Sequence, residues 1–147
     1  MDIVKASLNE LDIVTPLFDA YRVFYHQESH PERAREFLAQ RIQNQESAIF
    51  VAVDRDGKGA GFTQLYPCFS SVSAARIWIL NDLFVAPDYR GQGIARQLMQ
   101  TAKAMAVADQ VKGIALETTT DNVNAQALYE SLGYVKESGM YHYFLTV

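Results

Sequence analysis

Residues 89–95 read YRGQGIA: two glycines flank a glutamine, an arginine stands in front, and an apolar strand pattern precedes while a helical pattern follows. A helix start offers unpaired backbone N–H groups and the positive end of the helix dipole, a setting that binds anions such as a pyrophosphate. Glycine at 91 and 93 removes side chains that would hold phosphate oxygens away, and Ala95 keeps the first turn slim. Spacing excludes two phosphate loops. A dinucleotide fingerprint needs a small residue where Arg96 stands, and a Walker loop needs a lysine that is absent. The loop by itself supports two readings, an anion cradle and a plain strand-to-helix turn.

Other residue groups carry chemistry less well. His26 and His30 are four apart with Glu28 between, but Ser29 and Pro31 argue for a loop rather than a helix bearing two metal ligands, so no metal is expected. Cys68, the single cysteine, has no histidine close in sequence and fits a small core residue better than a nucleophile. Asp82 and Glu117 are carboxylates on strand patterns. On a regular strand Asp82 faces away from Asn81, and only a bulge or twist would bring the two to one side. The aromatic string YRVFY, residues 21–25, with Tyr21 and Tyr25, reads by itself as core and helix-face packing.

These residues need elements to hold them. Residues 2–6 read as a strand, and Ser7 with Glu10 is a capping box for a helix over 8–24, with a kink or break near Thr15 because of Pro16. A second helix over 30–45 starts at Pro31. Strands follow at 48–53, 60–66 and 75–85, with a break at 67–73. A helix opens at the glycine loop, with Ile94, Leu98, Met99, Ala102, Met105 and Ala106 as its apolar stripe. A strand at 113–118, a short helix closed by Gly133, and two short strands over 134–147 complete the order. The strands at 75–85 and 113–118 are expected to pair in parallel across the helix.

The chain has 147 residues, 49% of them hydrophobic, with a net charge of -4. That suits one domain, residues 1–147, with its own core. The charge argues against a nucleic-acid partner, and no apolar run is long enough to imply a membrane span. The N-terminus lacks the layout of a signal peptide, so a cytoplasmic setting is expected.

The stretch ILNDLFVAPDYRGQGIARQL, residues 79–98, resembles the signature of the GNAT superfamily of acetyl-CoA-dependent N-acetyltransferases: a strand, then Q/R-x-x-G-x-G/A at a helix start. A second element, Asn122, Ala125, Leu128, Tyr129 and Gly133–Tyr134, resembles that family's N-x-x-A-x-x-L-Y-x-x-x-G-F/Y. The resemblance implies an α/β (α+β) fold with a mixed, mostly antiparallel central sheet of about six or seven strands flanked by about four helices. It implies transfer of acetyl from acetyl-CoA to a primary amine by direct attack, the acceptor being a small amine, a polyamine or a protein amine. The strand wording is similar to diamine and polyamine-type members. Backbone of Leu83, Phe84 and Val85 would bond the pantetheine arm. Gly91, Gln92, Gly93, Ile94, Ala95 and Arg96 would cradle the pyrophosphate with charge from Arg90, and Asn122 would reach the cofactor. Tyr129 would protonate the leaving thiolate. Where some members carry a glutamate base this chain has Asn81, which leaves Asp82 or Glu117 as the candidate base and Tyr21, Tyr25, Tyr66 and Asn81 as the candidate acceptor contacts. Asn81 also admits an alternative, an acyl-CoA-binding domain without catalysis. The expected partners are acetyl-CoA and an amine, with the C-terminal segment a candidate dimer surface.

Overall fold

Ser7 starts the first helical segment as its spacing predicts. Its backbone N–H donates to Glu10 Oε2 at 2.7 Å, its hydroxyl accepts from Asn9 N–H, and the capping box is complete. In the computed structural model, which describes all 147 residues, this cap opens a 3-10 turn, Leu8–Glu10, that leads into α1, Leu11–Phe24. The helix runs unbroken through Pro16, so the expected break near Thr15 is absent. Burial of Val14, Leu17 and Phe18 on the core side outweighs the single backbone bond that proline removes. Helix α2, Pro31–Gln43, has proline in its first turn, and His30 caps it by accepting the Arg33 N–H on Nδ1 at 3.1 Å.

The chain divides into two compact units, residues 1–116 and 117–147. The first is built on a five-stranded sheet in the order β1 (Asp2–Lys5), β2 (Ala48–Val53), β3 (Gly59–Ser70), β4 (Ala75–Val85) and β5 (Ile114–Ala115). The first three pairings are antiparallel and β4–β5 is parallel. Helix α3, Ile94–Ala108, forms the crossover between the parallel pair. Strand β2 is buried on both faces. Ile49 and Val51 join Leu11, Val14, Leu17, Phe18, Leu38 and Phe62 in the core, and the alternate residues of the strand face the other way. Helix α3 packs on β1 to β4 with Leu98, Met99 and Ala102 fully buried.

Two strand expectations change. Strand β3 does not stop at Pro67, which sits opposite Trp78. The pairing of β3 with β2 ends at Leu65, so beyond it β3 has a partner on one side only, and a residue lacking an N–H is tolerated there. The sheet has five strands rather than six or seven. The parallel strand at 113–118 shortens to two residues, and no strand forms over 134–147, where residues 141–147 are exposed and no ladder fixes the backbone. The second unit holds α4, Val123–Ser131, capped by Asn122 Oδ1, which accepts the Ala125 N–H at 3.2 Å.

The core-side helices meet the sheet through aromatic rings. Phe62 is fully buried, and Phe18 and Tyr21 stand edge-on to it at 6.1 and 5.8 Å. Phe62→Ala is expected to lower stability by about 3–5 kcal/mol; urea unfolding measures it, and a loss under about 1 kcal/mol would show that this cluster does not hold α1 to the sheet.

Candidate functional site

Strand β4 carries an extra residue. Gln64 of β3 faces Asp82 and Leu65 faces Leu80, which leaves Asn81 with no residue opposite. This is the bulge that Asp82 needs if it is to serve the same side as Asn81. Side chains satisfy the carbonyls at this irregularity: Tyr21 Oη donates to Asn81 O at 3.2 Å and Thr63 Oγ1 to Asp82 O at 2.8 Å. The carboxylate of Asp82, 1% exposed, accepts from Gln64 Nε2 at 2.6 Å and from Asn81 Nδ2 at 2.7 Å. Burial pushes its pKa above the ordinary 3.8, and the two amide donors pull in the opposite direction without cancelling it.

Asn81 and Asp82 lie at one wall of a cleft of about 350 Å³. Phe18, Tyr21 and Arg22 of α1 form a second wall, Arg33, Ala34 and Phe37 of α2 a third, and Tyr66 of β3 completes the lining. Burial raises the Tyr66 phenol, and the charge of Asp82 raises it further, so it remains a hydrogen-bond donor at neutral pH. Tyr21, Tyr66 and the adjacent pair Asn81 and Asp82, three separate places in the sequence, therefore line one cleft. Tyr25 does not join them; its ring packs on Tyr21 and Phe24 at 5.0 and 5.3 Å and the residue is half exposed. Phe18, Phe37, Arg22 and Arg33 are lining residues that motif reading does not find, because only the packing of α1 on α2 brings them to β4.

Immediately after the bulge the strand becomes an edge. Strand β5 pairs with Trp78 and Ile79 alone, so no strand covers that side of β4 over Leu83, Phe84 and Val85. A strand edge of this kind can take an extended amide chain as an added strand. The chain then turns through a 3-10 segment, Pro87–Tyr89, held by Tyr89 Oη donating to Asp54 Oδ2 at 2.6 Å. Gly91 and Gly93 have φ of 75° and 78°, in the left-handed region that glycine enters without strain. A Cβ at either would enter open space, so the glycines keep clear the approach to the start of α3. Gly93 is the N-cap and no side chain caps the helix, the kind of helix start whose first-turn N–H groups lack intrahelical partners. Arg90 stands beside this loop; its Nε donates to Val85 O at 2.9 Å and its guanidinium lies 5.7 Å from the Phe84 ring centre. Gln92 Nε2 reaches Asp88 O at 3.5 Å.

In the second unit, Tyr129 lies on α4 with its ring 6.1 Å from that of Tyr134, whose phenol is raised chiefly by burial. Asn122 spends its side-chain oxygen on the helix cap. Glu117 is exposed and pairs with His142 Nε2 at 2.8 Å.

The family model described as "Acetyltransferase (GNAT) family" matches residues 14–134. An uncharacterized N-acetyltransferase of Bacillus subtilis (strain 168), YhfO, is 44% identical over 147 residues, covering 100% of this chain and 98% of that protein. A crystal structure of a probable acetyltransferase superposes with a TM-score of 0.93 at 43% identity, covering 100% of this chain and 98% of the other. The structure of AAC(6')-Iy in complex with the bisubstrate analogue CoA-S-monomethyl-acetylneamine superposes with a TM-score of 0.80 at 22% identity over 99% and 98% of the two chains, a likeness of fold.

The buried carboxylate generates a pH signature. With its folded pKa above 3.8, Asp82 keeps its proton in the folded state where the unfolded chain has lost it, so its contribution to stability is greatest below the unfolded value and declines as pH rises through the folded one. Asp82→Asn carries no such titration. Urea unfolding at stepped pH is expected to show the variant gaining on the native chain as pH rises from about 4, then levelling. Parallel curves across that range would mean that Asp82 is not raised.

Proposed function

The chain belongs to the GNAT acetyltransferase family and is an acetyl-CoA-dependent N-acetyltransferase; on that premise we propose that it acetylates a small primary amine bound in the cleft between α1, α2 and β4, by direct attack on the thioester. The observation that carries this reading is the order of features along one strand. The bulge at Asn81 turns Asp82 toward the cleft, and the next three residues lead into the glycine loop, so donor and acceptor sites adjoin on β4.

In this reading the pantetheine arm lies along Leu83, Phe84 and Val85, and its pyrophosphate rests on the N–H groups from Gly91 to Arg96, with Arg90 adding charge. Free amines are largely cationic at neutral pH and attack only after losing a proton. Asp82 is the proposed acceptor of that proton, directly or through water: a carboxyl raised by burial is a better base near neutrality than an exposed one. Tyr66 offers a hydroxyl to position the amine, and Tyr21, whose hydroxyl donates to Asn81 O, shapes the wall beside it. The amine nitrogen then bonds to the carbonyl carbon, a backbone N–H near Val85 steadies the developing oxyanion, and as that oxyanion collapses the carbon–sulfur bond breaks while the surplus proton on nitrogen leaves through water, which restores the proton that the phenol gives to sulfur. Tyr129 is proposed, on its motif, to give the leaving thiolate its proton, and Asn122 to contribute to the cofactor through its backbone, since its side chain caps α4. Residues 1–147 are proposed to serve this one activity.

Thiol release from acetyl-CoA across a panel of primary amines tests the reading, with turnover of at least one small amine expected. Tyr129→Phe is expected to lower kcat by about a hundredfold or more while the KM for acetyl-CoA holds. Acetyl-CoA binding with no turnover of any amine, and no effect of Tyr129→Phe, would instead mark a binding domain. Gly93→Val puts a β-branched residue where φ is 78°, and the KM for acetyl-CoA is expected to rise about tenfold or more; an unchanged KM would remove the loop from the donor site.

A further inference from the structure

The cleft is more basic than an amine acceptor requires. Four arginines stand on α1 and α2, and two of them have partners: Arg35 pairs with Asp12, and Arg41 pairs with Glu46 at 3.3 Å and lies 4.5 Å from the Phe37 ring centre. The other two, Arg22 and Arg33, line the cleft and form no ion pair. Arg22 Nη1 is buried and makes no hydrogen bond. Guanidinium stays charged under all ordinary conditions, and a buried donor left unmade costs stability that a ligand recovers.

Two buried carboxylates near the cleft, Asp19 and Asp82, are already engaged, whereas Glu32 and Glu36 of α2 are exposed to solvent. Asp19, 8% exposed, accepts from Ser29 Oγ at 2.6 Å and from His30 N–H at 2.8 Å, which ties the segment leading into α2 back to α1. Asp82 is held by Gln64 and Asn81 at the other wall. Four other lining residues of the cleft are aromatic: Phe18, Tyr21, Phe37 and Tyr66.

We infer that the acceptor carries its own anionic group, a carboxylate or a phosphate, gripped by Arg22 and Arg33 while its amine is directed at Asn81 and Asp82. Two guanidiniums suit a two-oxygen anion, and the aromatic walls suit a short apolar body between the two charged ends. A polyamine, cationic along its length, would bring like charge against both arginines, so the inference runs opposite to the diamine and polyamine wording of the strand. It rests on the acetyl-transfer reading of this cleft.

The test compares amines that differ only in the anion, with L-phenylalanine against phenethylamine for a carboxylate, O-phosphoethanolamine against ethanolamine for a phosphate, and spermidine as the polycation. The anionic member of at least one pair is expected to have a kcat/KM about tenfold or more above its partner, the pair identifying which anion is read. In Arg22→Gln and in Arg33→Gln that ratio collapses toward one, with the KM for acetyl-CoA unmoved. Equal values within both pairs, spermidine as the best acceptor, a ratio that survives both substitutions, or a rise confined to the KM for acetyl-CoA each overturns the inference. If no amine releases thiol, it is the acetyl-transfer reading that fails. Calorimetry with 3-phenylpropionate and with inorganic phosphate then decides the anion site separately: binding of either that Arg22→Gln abolishes supports it, and no binding of both refutes it.

Discussion

One unpaired residue in β4 governs the arrangement of this molecule. Strands β3 and β4 form the longest pairing in the sheet, and at Asn81 the register slips by one. A slip of that size re-aims the side chains around it, and here it sets Asn81 and Asp82 together at one cleft. The irregularity persists because its polar atoms are satisfied from three directions. Tyr21 arrives from α1, Thr63 and Gln64 from β3, and Asn81 closes onto Asp82 itself. The helix above and the sheet below are thus tied to the same two residues.

Solvation sets the chemistry at that point. A carboxyl withdrawn from water favours its neutral form, whereas the amide donors of Gln64 and Asn81 favour the charged one; burial is the larger effect. The same dry surroundings raise Tyr66 too, so a carboxyl and a phenol of one cleft both lean toward their neutral forms. At the other wall, two guanidiniums without ion pairs give the cleft a second charged end. The loop beyond Val85 does different work with the same economy of side chains, since its glycines and uncapped helix start present backbone rather than functional groups.

Much of this was legible in the chain. The capping box at Ser7, the proline start of α2, the apolar stripe of α3 and the parallel crossover depend on contacts within a few residues or on a periodicity, and they appear as read. The misreadings are where local preference met a distant partner. Pro16 marks a break only if nothing rewards continuing the helix, and Pro67 marks a strand end only if neighbours flank it on both sides. The terminal strands over 134–147 carry suitable residues, yet strand propensity forms no ladder without a paired edge.

Sequence alone determined the family, the place of the glycine loop at a helix start and the identity of the residues that can titrate, because motif spacing and side-chain chemistry are local properties. Tertiary structure decided which of them work together. Asp82 became a cleft residue through a bulge defined by pairing with β3. Tyr25 fell outside the cleft while Arg22, one turn earlier, fell inside it. His30 became a helix cap. Asp82's shifted affinity for a proton is set by burial and by neighbours from another strand, quantities that have no counterpart in the order of residues along the chain.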